Sequence, residues 1–369
     1  MSEKTELRVR AEPLKDFCVR VFQKMDIPEE DARITANVLV TADLRGIDSH
    51  GVARLRRYVN GLQGGMMIAR PQVQMVTETP ATALIDAGAG LGQPVSHRAM
   101  EKAIQKAKDY GAGFVTVRNS NHYGIAGYYA MMALEHDCIG ISMTNAAVLV
   151  VPTFGRDAML GTNPIAVAAP AGTEHPFVLD MATSTVPRGK LEVYHRLEKP
   201  LPLGWATDET GTPTTESGQV LENFRQRAGG GLLPLGGAGE LLRGYKGYGL
   251  ALWVDVFCAI LSGAAYADLV YPKDEQGNPL PSAIGHFFGA WRVDGFRPVD
   301  EFKAAMDDLQ HRLKNAPKAE GATRIYVHGE KEYEEAERRS CDGIPLNPKV
   351  AADLRAIGEE VGVGYDLEG

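Results

Sequence analysis

His50 and Arg54 are close in the sequence and have the side-chain types that a small acid substrate requires. A guanidinium group can hold a carboxylate through two parallel hydrogen bonds, and an imidazole can exchange a proton with a neighbouring oxygen near neutral pH. If a helix begins near His50, with Asp48 or Ser49 as its cap, the two side chains lie one turn apart on one face. The structural alternative is that Ser49 only caps the helix and Arg54 is only a surface charge. Spacing alone leaves both interpretations open.

A second candidate is the polar segment 119–124, in which Tyr123 and Gly124 follow His122. It comes after the apolar run 114–117, which predicts a strand, and before residues that predict a helix. Ligands of α/β proteins gather at the carboxyl ends of strands, and free N–H groups at a helix start bind anions. His122 is therefore a candidate functional residue. A polar turn with a helix cap would have the same composition.

Asp180 directly follows the apolar run 177–179, where a carboxylate without a partner would be costly to bury. It could orient His50 and stabilise the charged form of its ring. It could equally cap the helix that follows, which is a common role for aspartate. The residues alone favour the cap.

Glycine accompanies polar side chains in three further segments. Thr162, in a Gly-Thr-Asn-Pro sequence, could offer a hydroxyl to a pocket or belong to an ordinary turn. The segment 244–249 leads into an apolar helix, and Lys246 there suits a phosphate, although the residue order of a P-loop is absent. The segment 86–92 is not a dinucleotide fingerprint, because Gln93 stands where the third glycine is required. A nicotinamide cofactor would therefore need a fold other than the Rossmann fold.

Hydrophobic periodicity indicates the elements that position these residues. Residues 12–64 predict helices, with a new helix starting near Pro28, and the charged tail from 330 onwards predicts helices again. The region between them predicts a mixed α/β sheet domain. We therefore expect a helical domain made from residues 1–76 and 330–369 beside an α/β domain of residues 77–329. The predicted strands are 83–85, 114–117, 139–143, 165–168, 177–179 and 287–293, and the helices between them include 95–110, 125–136 and 247–261.

Composition narrows the class of protein. The chain has 369 residues, of which 44% are hydrophobic and 23% charged, as in an ordinary globular protein. Its formal net charge of −8 argues against a nucleic-acid partner, and no apolar run is long enough for a membrane span. The first residues lack the pattern of a signal peptide. The four cysteines form no Cys-x-x-Cys pair, so we expect neither a disulfide framework nor a zinc site, and a cytoplasmic location.

Five motifs in one order along the chain resemble the type-2 malate/L-lactate dehydrogenase family. That family includes sulfolactate and ureidoglycolate dehydrogenases, diketogulonate reductase and a cyclic-imine (piperideine carboxylate) reductase. The resemblance extends from about residue 10 to about residue 350. The motifs are Ser49-His50-Gly51 with Arg54, Asn121-His122-Tyr123-Gly124, Gly161-Thr162-Asn163-Pro164, Asp180-Met181-Ala182-Thr183-Ser184, and Gly244-Tyr245-Lys246-Gly247-Tyr248-Gly249.

The resemblance implies a non-Rossmann α/β fold with a mixed-sheet NAD(P)-binding domain and a helical domain formed by both chain ends. It also implies a homodimer that binds NAD or NADP near the subunit interface. The implied reaction is reversible hydride transfer between the cofactor and a small anionic 2-hydroxy or 2-keto acid. Malate or lactate is the expected substrate type. Ureidoglycolate, sulfolactate and cyclic-imine or diketo-acid substrates remain alternatives.

The same resemblance assigns roles to residues. It implies that His50 transfers the proton, with Ser49 and Asp180 as partners, whereas some members give this acid/base role to the residue that matches His122. It implies that the substrate lies near Arg54 and Thr162. Between Leu235 and Gly244, the region 236–243 is longer than the corresponding region of the family pattern. The implied cofactor-binding residues are His122, Tyr123, Gly124, Ala146, Asp180, Met181, Ala182, Thr183, Ser184, Tyr245, Lys246, His328, Gly329 and Glu330.

Three rival functions come from other classes. A serine hydrolase could use Ser49, His50 and Asp180, but adjacent Ser and His side chains rarely face each other and no nucleophile elbow surrounds Ser49. A metal hydrolase could use His50, His122 and Asp180, but the sequence lacks a His-Glu-x-x-His motif. A non-catalytic NAD-binding protein would keep the pocket without the reaction. The sequence leaves the choice of hydroxy acid and of NAD or NADP open.

Overall fold

The computed structural model describes residues 7–367, which contain eleven strands and eleven α-helices. Residues 1–6 and 368–369, at the outer ends of the predicted helical domain, lie outside the described residues. The strands are β1 (Leu7–Val9), β2 (Gln74–Glu78), β3 (Thr82–Asp86), β4 (Ala112–Ser120), β5 (Cys138–Thr144), β6 (Ile165–Ala169), β7 (Phe177–Met181), β8 (Ala206–Thr207), β9 (Gly231–Leu232), β10 (Ile284–Arg292) and β11 (Ile344–Leu346). The α-helices are α1 (Ala11–Lys24), α2 (Glu29–Leu44), α3 (Leu55–Gln63), α4 (Gly92–Tyr110), α5 (Ala126–Met132), α6 (Arg188–Arg196), α7 (Ser217–Gln226), α8 (Gly244–Asp255), α9 (Val299–Lys314), α10 (Glu330–Asp342) and α11 (Pro348–Val361).

Seven strands form one mixed sheet in the order β2-β3-β4-β10-β5-β6-β7, which confirms the prediction of a mixed α/β structure. Strands β3 and β4 pair in parallel, whereas the other neighbours in this sheet pair antiparallel. Strand β10 lies in the centre, between β4 and β5, and residues 284–290 of it are buried. Burial on both faces explains why the sequence of β10 is almost continuously apolar.

Helices cover both faces of this sheet. Helices α4 and α5 pack on one face through small side chains such as Ala103 and Ala130, which meet Val115 and Phe288 of the strands. Helix α8 and the π-helical turn Val256–Ile260 that continues it pack on the other face, against Ile141 and Phe287. The apolar helix predicted at 247–261 therefore begins three residues earlier, and its last turn is π-helical.

Residues from the two ends of the chain share one hydrophobic core. Phe17, Leu39 and Tyr58 of helices α1, α2 and α3 are fully buried together with Ile357 of α11. Strand β1 pairs antiparallel with β11, so that Leu7 lies opposite Leu346. The helices predicted within 12–64 are present, and α2 begins directly after Pro28, which occupies its N-cap.

Several elements were absent from the sequence-based prediction, notably β2 and helices α6, α7 and α9. These elements bury few apolar side chains: all five residues of β2 are exposed, Leu191 is the buried residue of α6, and Gln310 is that of α9. Hydrophobic periodicity is therefore weak or absent in them. Within residues 7–367, no helix has the length and apolar character needed to span a membrane.

Candidate active site

The turn that carries His50 connects α2 to a 3₁₀ turn, Val52–Arg54, which leads into α3. The prediction that a helix begins near His50 with Asp48 or Ser49 as its cap is wrong, because Gly51 occupies the N-cap and no side chain of the turn caps it. The carboxylate of Asp43, in the last turn of α2, instead accepts the Val52 N–H at 2.8 Å. His50 and Arg54 therefore do not share the face of one helix.

The Asp43 carboxyl group stabilises this turn through its hydrogen bond with Val52. Its carboxyl group is buried, which raises its pKa to about 8, although the hydrogen bond from Val52 opposes that rise. A Cβ atom on Gly51 would lie only 1.9 Å from Asp43 Oδ1, so residue 51 must be glycine for the turn to close over the carboxyl group. The Asp48 carboxylate points away from the turn and pairs with the Arg339 guanidinium of α10.

The His50 ring is half-buried, and its Nδ1 lies 2.9 Å from Ser49 Oγ. Adjacent serine and histidine side chains rarely face each other, but here these two lie within hydrogen-bond distance. Arg54 stabilises the same turn, because its Nε donates to the Ser49 carbonyl oxygen at 2.6 Å. Burial, together with the positive charges of Arg54 and Arg57, lowers the pKa of His50 to about 4. The imidazole is consequently neutral at pH 7 in the free protein.

The structure brings His122 next to His50. The two rings are stacked, with centroids 5.8 Å apart and planes inclined by 19°. His122 Nδ1 lies 2.7 Å from the hydroxyl of Tyr58, and the Gly124 N–H donates to the same nitrogen at 3.4 Å. Burial holds the pKa of His122 well below its usual value, and the charges of Arg57 and His50 act in the same direction.

The glycine-rich segment 86–92 forms a backbone cradle for the residues around His122. The Asn121 side-chain amide donates to the carbonyl oxygens of Ala89 and Gly90 at 3.0 and 2.9 Å. A Cβ atom on Gly92 would lie 2.2 Å from the Asn121 carbonyl oxygen and 2.7 Å from that of His122. The glycines that superficially resemble a dinucleotide fingerprint therefore allow two backbone segments to approach closely. Strand β4 also extends to Ser120, three residues beyond the predicted end at 117.

Positive charge is concentrated beside the two histidines. Arg54 is partly buried, which lowers its pKa, and the neighbouring guanidinium of Arg57 lowers it further. Glu192 and Arg188 of α6 are close enough to Arg54 to shift its pKa in opposite directions. Arg57 is exposed and donates to the Tyr271 hydroxyl at 3.1 Å. These guanidinium groups can hold carboxylates close to the His50 imidazole.

Asp180 lies inside β7 rather than after a strand, and its side chain contacts a different part of the site. Its Oδ2 accepts the Gly127 N–H at 2.7 Å, at the start of α5, so the prediction that it caps the following helix is wrong. Burial raises the pKa of Asp180 to about 6, and its charged neighbours are Arg45 and Glu332. Among the described residues, its hydrogen bond goes to Gly127 and not to His50, and the predicted pairing with His50 stays a prediction.

A cavity of about 270 Å³ adjoins Asp180. Three predicted cofactor residues, Asp180, His328 and Gly329, line it together with the cationic side chains of Arg45 and Lys331. The His328 carbonyl oxygen accepts the Val178 N–H at 3.1 Å, which attaches this late loop to β7. The buried carboxylate of Glu330, the residue after Gly329, forms ion pairs with Lys314 and Arg324 that anchor the loop.

Backbone hydrogen bonds join the predicted site residues Thr162 and Thr183 to the segment that precedes α8. The Thr162 carbonyl oxygen accepts the Thr183 N–H at 2.9 Å, and the Thr183 carbonyl oxygen accepts the Leu235 N–H at 2.8 Å. Leu235 packs so closely against α8 that a Cβ on Gly247 would lie 2.3 Å from its oxygen. Nearby, Asn163 Oδ1 accepts the Ala146 N–H. Ser184 is buried, whereas Met181 and Ala182 are half-buried. Tyr245 and Lys246 are exposed on the first turn of α8.

Tyr123 is a core residue rather than an exposed ligand. Its ring is buried and stacks on His286 of β10 at a centroid distance of 4.6 Å. Gly124 has φ of +88°, and a Cβ there would lie 2.5 Å from Val38 of α2. The Gly124 backbone therefore packs closely against α2, and the Tyr123 side chain is turned into the core.

Sequence reasoning missed four residues of the site: Asp43, Arg57, Tyr58 and His286. Asp43 lies four residues after Leu39 on the buried stripe of α2, which marks an acid that needs a partner. Tyr58 follows Arg54 by four residues, the spacing of one helical turn. His286 is a titratable residue within an apolar strand. Among residues 7–367, no group of three or more His, Cys, Asp and Glu side chains is placed to bind a metal ion.

Comparison with known proteins identifies relatives over almost the full chain. A family model described as malate/L-lactate dehydrogenase matches residues 9–355. A malate dehydrogenase from Pyrococcus horikoshii is 50% identical over 97% of this chain and 96% of its own length. An L-sulfolactate dehydrogenase from Methanocaldococcus jannaschii is 40% identical over 97% of this chain and 98% of its own length. The crystal structure of malate dehydrogenase from Entamoeba histolytica superimposes with a TM-score of 0.92 at 36% identity, covering 98% of this chain and all of that one.

Proposed function

Because this chain belongs to the malate/L-lactate dehydrogenase family and is an oxidoreductase of small hydroxy acids, we propose that malate is its substrate. The observation that carries this proposal is the group of arginines beside His50. Arg54 and Arg57 both lower the pKa of His50, and Arg188 of α6 lies close to Arg54. Malate has two carboxylates, and two guanidinium groups can each hold one of them. Lactate would leave one of these cations without a partner.

His50 is the proposed acid/base in both directions. Its neutral ring accepts the hydroxyl proton during oxidation and returns that proton to the carbonyl oxygen during reduction. Ser49 holds Nδ1, so Nε2 is the nitrogen that faces the substrate. Arg54, helped by Thr162, holds the carboxylate next to the reacting carbon. A bound nicotinamide supplies or accepts the hydride. Alignment of this kind contributes up to about 7–11 kcal/mol to catalysis.

NAD or NADP is the proposed cofactor, and the residues around the cavity suit part of a dinucleotide. The cavity of about 270 Å³ approaches the lower end of small-molecule sites, so it fits one nucleoside portion. Arg45 and Lys331 supply positive charge beside it. The proposed cofactor contacts extend from His122, Tyr123 and Gly124 to the other predicted residues, namely Ala146, Asp180, Met181, Ala182, Thr183, Ser184, Tyr245, Lys246, His328, Gly329 and Glu330. Asp180 also remains the proposed charge partner of His50.

The proposed architecture has a helical domain of residues 1–76 and 330–369 beside a non-Rossmann domain of residues 77–329. The core shared by both chain ends and the mainly antiparallel sheet support it. The proposed homodimer has support from an exposed apolar stripe on α8 and its π-helical turn, formed by Leu252, Trp253, Val256 and Ile260. A cytoplasmic location agrees with four cysteines that all remain free thiols.

A spectrophotometric screen tests the substrate. The purified protein is mixed with NADH or NADPH and with oxaloacetate, pyruvate, sulfopyruvate, a diketo acid or a cyclic imine. We expect oxaloacetate to give the highest kcat/KM. A preference for pyruvate would contradict the argument from paired arginines. Absence of turnover with every acid, together with tight NADH binding, would favour a non-catalytic binding protein.

Replacing His50 tests the acid/base assignment. We expect His50→Ala to lower kcat roughly 10²- to 10⁴-fold, which is the usual contribution of proton transfer by a positioned side chain. The Kd for NADH, measured by fluorescence titration, should stay close to that of the wild type. The matched control is His311→Ala, because His311 is an exposed histidine on α9. This variant should retain full activity. Near wild-type turnover in His50→Ala would disprove the assignment.

A further inference from the structure

Nδ1 of His122 faces two hydrogen-bond donors of the protein itself. The Gly124 N–H points at this nitrogen at 3.4 Å, and an amide can only donate. The Tyr58 hydroxyl lies 2.7 Å from the same atom. A nitrogen that accepts an N–H bond cannot carry a proton of its own. The neutral ring therefore has its proton on Nε2.

Tyr58 is held so that its hydroxyl serves as the second donor. The side chain is fully buried, and burial raises its pKa to about 12, so the phenol keeps its proton at neutral pH. The Gln93 amide, also fully buried in the first turn of α4, lies near the Tyr58 hydroxyl but forms no side-chain hydrogen bond among the described residues. The phenol proton can therefore be donated to His122 Nδ1, which lies 2.7 Å away.

We propose that His122 acts as a neutral hydrogen-bond donor to the carbonyl oxygen of the substrate, through Nε2–H, while His50 alone transfers the proton. This inference rests on the proposed dehydrogenase function. In the reduction, the His50 ring first takes up a proton from solvent as the anionic substrate binds beside it. A hydride then adds to the carbonyl carbon, the π electrons of the C=O bond move to the oxygen, and that oxygen takes the proton from the His50 imidazolium, which becomes neutral again. His122 stabilises the negative charge that develops on the oxygen and keeps its own proton. Tyr58 is a positioning residue, because it acts through the His122 ring.

The charges around the two rings support this division of roles. Arg57, Arg54, His50 and His286 all face His122 and disfavour a positive charge on it. The rings of His50 and His122 are stacked 5.8 Å apart, so two imidazolium ions would repel each other. One ring can therefore change charge during the reaction while the other stays neutral. A neutral histidine of depressed pKa can polarise a substrate carbonyl without giving up its proton.

The tautomer can be measured without any substrate. In protein labelled with ¹⁵N-histidine, the side-chain signals of His122 are assigned by comparison with His122→Gln. We expect a protonated Nε2 and an unprotonated Nδ1 from pH 6 to pH 8. A proton on Nδ1, or a ring that becomes charged in this range, would overturn the proposal. Because no substrate is present, this result does not depend on whether the proposed reaction is correct.

Two substitutions at position 122 separate a donor from an acid/base. The amide nitrogen of glutamine can take the place of Nε2–H, whereas leucine offers no donor. We expect His122→Leu to lower kcat about 10²- to 10³-fold, as removal of one such donor does. His122→Gln should retain at least ten times the kcat of His122→Leu, with a pH profile like that of the wild type. Equal losses in both variants, or a pH profile that loses an ionisation, would show that His122 transfers the proton.

Tyr58→Phe tests the positioning role with the loss of one oxygen atom. We expect about a tenfold fall in kcat, little change in the KM of the cofactor, and a mixture of His122 tautomers in the ¹⁵N spectrum. Tyr128→Phe is the matched control, because its hydroxyl also forms a hydrogen bond with one side chain, Asn37, in a half-buried site. It should change neither readout. A single Nε2–H tautomer together with wild-type kcat in Tyr58→Phe would exclude the role of Tyr58.

Discussion

His286 is a buried imidazole at the centre of the sheet, and hydroxyl groups bond both of its ring nitrogens. Nδ1 lies 2.7 Å from Thr144 Oγ1, and Nε2 lies 2.8 Å from Ser120 Oγ. Burial lowers its pKa to about 3. The ring therefore stays neutral in the folded protein under conditions in which an unfolded chain would take up a proton. The free energy of unfolding should depend on pH for this reason.

We expect the His286 contribution to stability to be complete above pH 6.5 and to be lost as the pH falls towards 3. The unfolded chain binds a proton near pH 6.5 and the folded chain does not, so acid favours unfolding. Between pH 8 and pH 5 the loss should be about 2 kcal/mol. Urea unfolding of the wild type and His286→Gln at both pH values measures it. His286→Gln should be less stable at pH 8 but should lack this part of the pH dependence. An equal loss in both proteins would contradict the assignment.

At the scale of secondary structure, helix α10 connects the cavity to the turn that carries His50. Its N-cap is Gly329, which lines the cavity, and Arg339 lies near its other end. The Arg339 guanidinium is buried, donates to the Asp43 carbonyl oxygen at 2.6 Å and pairs with the Asp48 carboxylate. Helix α10 thus holds Asp43 and Asp48, which precede the turn residues Ser49 and His50.

Replacing Arg339 should disturb catalysis more than cofactor binding. We expect Arg339→Met to cost about 1–3 kcal/mol of stability, because charged hydrogen bonds are lost in a buried place, and to lower kcat with little effect on the Kd for NADH. Arg339→Lys should recover part of kcat. Arg338→Met is the control, since Arg338 is an exposed neighbour on the same helix that also pairs with Glu335. Equal effects of the two Met variants would show that the turn does not depend on Arg339.

Local pattern predicted those elements that bury an apolar face. Strands β4, β5 and β10 and helices α2 and α4 followed from hydrophobic periodicity, and His50, Arg54 and His122 stood out by residue type and spacing. The rest depends on contacts between distant parts of the chain. Helix α3 begins at Leu55 rather than near His50, and the Val52 N–H before it is bonded to Asp43. Asp180 contacts Gly127 of α5, which lies 53 residues earlier in the chain. Tyr58 meets His122 across 64 residues, a pairing that no local pattern encodes.

For the whole molecule, the apolar stripe of α8 carries the prediction about assembly. Its residues recur at helical spacing and stay exposed, which is typical of an interface. We expect Val256→Glu to convert a dimer into monomers in sedimentation velocity. Leu309→Glu, on α9, is the matched control, because both side chains belong to residues that are 50% exposed. A monomeric wild type at micromolar concentration, or equal behaviour of the two variants, would refute the proposed interface.

The pairing of β1 with β11 and the contacts of Arg339 have a consequence for biosynthesis. Residues 7–9 are translated more than 300 residues before their partners at 344–346. The turn that carries His50 likewise waits for Arg339. Contacts between segments so distant in sequence form slowly, and they cannot form before the later segment has been synthesised. The enzyme should therefore gain activity only after residue 346 has left the ribosome, and a transcript truncated before codon 339 should yield an inactive product even if its central sheet folds.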